Sequence, residues 1–93
     1  MKYKIKQTSQ FKKDYKLAKK QGKNLDSLKV IVKKLENGEE LPESCYDHEL
    51  KGNYKDYREC HIEPDWLLIY KQTEDVLLLT LFRTGSHSDL FKK

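Results

Sequence analysis

Met1, Tyr3, Ile5 and Gln7 alternate with Lys2, Lys4 and Lys6, and a period of two is that of a strand with one face buried and the other in water. The period then changes. Phe11, Tyr15 and Ala18 recur at helical spacing behind Thr8 and Ser9, whose hydroxyls can cap a first turn, and Gly22 ends the pattern. Asn24 offers the same kind of cap to a second helix, whose apolar stripe of Leu25, Leu28, Ile31, Val32 and Leu35 stops at Asn37-Gly38. The two segments predict a helical hairpin. Leu41-Pro42 opens a loop, and β-rich stretches follow at 47–50, 57–62, 66–71 and 76–83, with Pro64-Asp65 and Thr73-Glu74-Asp75 as punctuation. The tail, 86–93, predicts one helical turn carrying Leu90 and Phe91 back onto the sheet. A strand, two helices and then several strands joined by short turns predict a single α+β domain over 1–93, with helices packed on an antiparallel sheet.

Ninety-three residues suit one domain with a modest core, so an active site is expected to be shallow and no large cofactor to be enclosed. The longest unbroken apolar run, Trp66 to Tyr70, is far below the ~20 residues of a membrane span. The Lys-interrupted N-terminus lacks the continuous apolar stretch of a secretory signal, and a cytoplasmic location with no membrane partner is expected. Cys45 and Cys60 form neither a disulfide framework nor a CxxC pair, and packed, reduced thiols are the expectation.

The net charge of +4 hides an asymmetry. Residues 1–35 hold twelve lysines against Asp14 and Asp26, a local charge of +10, while the remainder carries −6. Such a segment is an electrostatic footprint for a polyanion, and it is also what lysine-rich solvated helix faces look like.

Candidate chemistry lies in the β-rich half. His48, His61 and His87 each fall in or beside a predicted strand or turn. Alternation puts Tyr57, Glu59, His61 and Glu63 on one face, so His61 is expected on a polar surface. It also puts Leu77, Leu79, Leu81 and Arg83 on one face, with Arg83 the charged end of an apolar row. No HExxH, CxxC or His pair at i, i+4 is present, so neither a metal site nor a cofactor is expected. There is no Gly-rich phosphate loop, and Ser86-His87-Ser88-Asp89 are too close in sequence for a nucleophilic triad. What these residue types can do is metal-free acid–base chemistry on RNA, which carries its own nucleophile in the 2′-OH. His and Asp can supply base and acid, and Arg a cation for the phosphorane charge. Trp66 or Phe91 could hold a base by stacking, although Trp66 also opens an apolar strand and Phe91 can simply anchor the tail.

Three blocks occur in order behind the Lys-rich helical hairpin: Asp47-His48 with Leu50 and Gly52; His61 with Pro64-Asp65-Trp66; and Arg83-Thr84-Gly85 with His87 and Phe91. Together they resemble the RelE superfamily of bacterial toxins, within it the YafQ-like branch, over essentially the whole chain. The resemblance implies a RelE-like, microbial-ribonuclease-like fold. It implies a ribosome-dependent endoribonuclease that cuts mRNA in the decoding site and is neutralised by a cognate antitoxin. Its catalytic set falls on His48, His61, Asp65, Arg83 and His87, with Trp66 and Phe91 as substrate-binding positions; His87 is then the acid and His61 or Asp65 the base. The basic third would bind ribosomal RNA. The same superfamily scaffold also includes gyrase-directed toxins, so a non-catalytic, nucleic-acid-binding inhibitor is the alternative.

Overall fold

The computed structural model describes residues 2–91. Met1 of the predicted first strand and Lys92 and Lys93 of the tail lie outside them. Strand β1 (Lys4–Gln7) leads into helix α1 (Ser9–Lys20) and then helix α2 (Leu25–Glu36). The β-rich half follows as β2 (His48–Glu49), β3 (Arg58–Glu63), β4 (Trp66–Thr73) and β5 (Leu78–Gly85), and a single turn of helix, α3 (His87–Leu90), closes the described chain.

The caps act where the sequence puts them. Thr8 Oγ1 accepts from the Phe11 amide at 3.0 Å and donates to the Phe82 carbonyl at 2.7 Å, so one hydroxyl starts α1 and ties it to β5. Asn24 accepts from the Asp26 and Ser27 amides at the head of α2. Each helix runs out beside a glycine at φ +74, Gly22 and Gly38, with lysines in the last turn facing the negative end of the dipole.

The strands form one five-stranded sheet in the order β1-β5-β4-β3-β2. Neighbours from β2 to β5 are antiparallel, but β1 joins the outer edge of β5 in parallel, Ile5 opposite Leu79. The strands after the hairpin are thus antiparallel as expected, and the parallel β1 makes the whole sheet mixed. A two-residue period records which face a strand buries and nothing of its direction.

Phe11, Ala18, Leu28, Ile31 and Leu35 from the helices pack with Trp66, Leu68, Tyr70, Leu79 and Leu81 in the main core. The alternate residues of β4, Leu67 and Ile69, point the other way and are covered by Leu90, with Tyr54, Tyr57, Phe82 and Phe91 around them. Burial on both faces explains why β4 reads as an unbroken apolar run.

Two irregularities lie near the residues of interest. The β3–β4 register shifts between His61 and Glu63. In β5, Ile69 faces Arg83 but Tyr70 faces Leu81, leaving Phe82 as an extra residue. This bulge breaks the expected Leu77-Leu79-Leu81-Arg83 row, because every side chain after it changes face.

Candidate active site

Asp47 anchors the segment that enters β2. Its carboxylate accepts from Arg58 Nε at 3.1 Å and from the Tyr70 hydroxyl at 2.8 Å, and this fixes the approach of the next residue, His48. His48 pairs across the sheet with Glu59. His61 stands two residues beyond Glu59 on β3, on the same face of the strand. Glu59 Oε1 lies 3.8 Å from His48 Nε2 and 3.5 Å from His61 Nε2. The carboxylate is only 6% exposed, so it forms the floor between two imidazoles.

The third imidazole comes from α3. Ser86 and Asp89 form a reciprocal capping box that starts this helix. Asp65, in the turn between β3 and β4, accepts from both the amide and Nδ1 of His87, at 3.1 and 2.8 Å. That hydrogen bond assigns the proton to Nδ1 and leaves Nε2 as the working nitrogen. The same two bonds from His87 lower the Asp65 pKa below the usual carboxylate range. The His61 and His87 rings meet edge to face at 5.5 Å.

The rings continue on either side. Tyr46 stands edge-on to His61 at 5.6 Å and Phe91 lies 6.5 Å from His87, giving the row Tyr46, His61, His87, Phe91. Phe91 also rests on Tyr54 at 5.4 Å, and the Tyr54 hydroxyl donates to the Leu90 carbonyl. Tyr46 is left-handed at φ 48 and ψ 44, and its carbonyl lies 2.7 Å from His48 Nδ1. The site is open: His48, His87 and Asp65 are more than half exposed in their side chains. A concavity of about 830 Å³ lies elsewhere, between Leu35, Asp47, Tyr57, Arg58 and Lys71.

Arg83 is differently engaged. Its Nε and Nη2 donate to Asp14 of α1 at 3.0 and 3.1 Å, and the Thr84 amide donates to the same carboxylate at 3.2 Å. The cause is topological. The β1 partner residues stop at Leu81, so the outer edge of β5 beyond it needs another acceptor, and the buried Asp14 supplies it. The Asp14 hydrogen bonds also raise the Arg83 pKa above its ordinary value. The carboxylate partner of Arg83 is thus on α1 rather than among the imidazoles, and the Tyr54 hydroxyl is near enough to add to the rise.

Trp66 is 1% exposed and packed in the main core, with Lys23 Nζ 6.0 Å from its ring centroid. The ring is thus enclosed by the core rather than open to solvent, one residue beyond Asp65. The structure brings together His48, His61, Asp65, His87 and Phe91, keeps Arg83 at the side on Asp14, and buries Trp66. Glu59, Asp14 and Tyr46 were missed as site residues. The one signal in the sequence was Glu59 sharing an alternating face with His61. Glu59, His61 and His87 also each place a ligating atom within 4.8 Å of the others, a donor set suited to a divalent cation that no linear motif announces.

The family model described as "Bacterial toxin of type II toxin-antitoxin system, YafQ" matches residues 3–92. The chain is 46% identical over 88 residues to the mRNA interferase toxin YafQ of Escherichia coli strain K12, covering 94% of each. In structure it resembles the E. coli DinJ-YafQ toxin-antitoxin complex, with 43% identity, a TM-score of 0.89 and coverage of 98% of this chain and 99% of that one. It likewise resembles a metal-bound toxin from Helicobacter pylori, with 42% identity, a TM-score of 0.89 and coverage of 98% and 100%. The chain is a member of the YafQ family of bacterial toxins of type II toxin–antitoxin systems.

Proposed function

We propose that this chain is an mRNA endoribonuclease that acts on the ribosome, by proton transfer between side chains and RNA without a metal, and is silenced by a cognate antitoxin in the cytoplasm. The observation that carries the reading is the edge-to-face pair of His61 and His87, one seated over the Glu59 carboxylate and the other held through Nδ1 by Asp65. Two imidazoles side by side, each oriented by its own carboxylate, can serve as the proton acceptor and the proton donor that one step requires.

In this mechanism His61 takes the proton of the 2′-OH, O2′ attacks the adjacent phosphorus and the P–O5′ bond breaks, while His87, entering as the imidazolium with its Nδ1–H kept on Asp65, gives its Nε2 proton to the departing O5′. The products are a 2′,3′-cyclic phosphate and a 5′-OH end. Asp65, already committed to His87, positions the acid instead of serving as the base. Glu59 balances the positive charge that His61 gains, and His48 lines the same floor. Arg83 spends two of its five N–H bonds on Asp14, and the others are its means of meeting phosphorane charge. Phe91 supplies a ring to a flanking base. The lysines of α1, exposed at 12, 13, 16, 19 and 20, form the face for ribosomal RNA.

The test is mapping of 5′ ends on mRNA undergoing translation with added toxin. The wild-type chain is expected to create new ends, and His87→Ala to reduce them by about 10²–10⁴-fold while ribosome and antitoxin binding persist. Undiminished cutting by that variant, or translation arrest by the wild type with no new ends, would reject the reading. The metal-free element is tested by repeating the assay with a chelator selective for transition metals that leaves the ribosome's Mg²⁺ in place, where cutting should continue.

A further inference from the structure

We infer that Tyr46 is a nucleobase subsite on the His61 side of the reacting phosphate, the counterpart of Phe91 on the His87 side. This rests on the nuclease reading above and adds a contact that reading does not contain.

Three observations converge on it. The Tyr46 ring is 69% exposed, although large aromatic side chains are ordinarily well covered. It is not a stray surface group, because its edge contact with His61, at 5.6 Å and 64°, makes it the end of the ring row through the acid–base pair. Its backbone is left-handed, φ 48 and ψ 44, a conformation that a bulky residue adopts only at a cost glycine would not incur. Apart from its edge contact with His61, a tyrosine kept both exposed and strained beside reactive groups gives this turn less than a glycine would. What the ring adds is an open π-face at the mouth of the site. Single-stranded RNA binds such faces by stacking, and stacking tolerates any base. The Tyr46 carbonyl on His48 Nδ1 belongs to the main chain and survives a change of side chain.

The ligand class is therefore an unpaired nucleotide base of the mRNA strand. The experiment compares wild type with Tyr46→Phe, Tyr46→Ala and Tyr46→Gly in two assays. One measures mRNA cleavage on translating ribosomes over a range of ribosome concentration. The other follows quenching of a 2-aminopurine-labelled single-stranded RNA of mixed sequence by toxin carrying His87→Ala. Tyr46→Phe should match wild type. Ala and Gly should raise half-saturation and weaken oligonucleotide binding roughly tenfold or more, with the maximal cleavage rate within about threefold. Gly should at the same time raise Tm, a combination that a structural role would not produce. Wild-type half-saturation and oligonucleotide binding in Ala and Gly would overturn the subsite and leave the nuclease reading standing. If the wild type cuts no mRNA, the nuclease reading fails, and the oligonucleotide assay still decides whether Tyr46 stacks a base.

Discussion

Asp14 occupies the middle of a lysine-rich helix, where an acidic residue ordinarily faces water, yet its carboxylate accepts two bonds from Arg83 and one from the Thr84 amide. Asp14→Ala strands a buried amide and releases the guanidinium. The expected loss is about 1–3 kcal/mol, read as a fall in Tm of roughly 4–8 °C per kcal/mol for a domain of this size. Asp14→Asn keeps one acceptor oxygen and should fall between the two. An alanine variant as stable as wild type would refute the assignment. Asp65 gives a pH prediction. Its pKa is lowered by bonds from His87, so its contribution to stability is present above the unfolded carboxylate value of about 4 and is lost as pH falls through the lower folded value. Acid unfolding of Asp65→Asn compared with wild type should therefore differ least in strong acid and most above that range. At Cys60 burial pushes the thiol pKa far up, and it should resist alkylation in the native protein and react on unfolding. The histidines and Asp65 were legible from the resemblance. Glu59 was not, because a carboxylate on a polar strand face looks the same whether water or two imidazoles face it. Trp66 illustrates the opposite ambiguity: at the mouth of an apolar strand, pattern does not separate a core ring from a stacking ring.

The helices were legible at the level of elements because their signals are local: Thr8 and Asn24 act as caps where they stand, and the stripe from Leu25 to Leu35 is the face that α2 buries. Two features of the sheet were not legible. The direction of β1 depends on a partner more than seventy residues away, and the bulge at Phe82 interrupts a row that looks continuous in sequence. Helix α3 gives an element-scale test. A Cβ added to Gly85 would lie 3.1 Å from Asp89 Cβ and 3.4 Å from Leu90 Cδ2, and Asp89 is held by its bond from the Ser86 amide. Gly85→Ala should push α3 outward and carry His87 off its position over Asp65. Because a displacement near 1 Å can cost about 10²-fold in rate, cleavage should fall steeply while Tm falls little. Equal activity would mean that α3 tolerates a wider range of positions than its bonds suggest.

At the scale of the molecule, charge and chemistry occupy different parts of the chain. The lysines of β1 and α1 are exposed, while the imidazoles belong to the other half. Replacing Lys12, Lys16 and Lys19 by Gln should weaken ribosome binding and flatten its salt dependence by about 0.7–0.9 in log–log slope for each phosphate that is no longer neutralised. Cleavage per bound complex should be unchanged, and an unaltered slope would place the RNA-binding surface elsewhere. The charge asymmetry was visible in sequence; that one of its lysines, Lys23, reaches close enough to add to the His87 bonds in lowering the Asp65 pKa required the fold.

Strand β5 holds the first strand on its outer edge and leads directly into the turn that bears His87. During synthesis, then, β1 waits unpaired until β5 emerges, and His87 follows only after that. Under the proposed nuclease reading, a chain halted before β5 would lack at once the partner of β1 and the imidazole of His87.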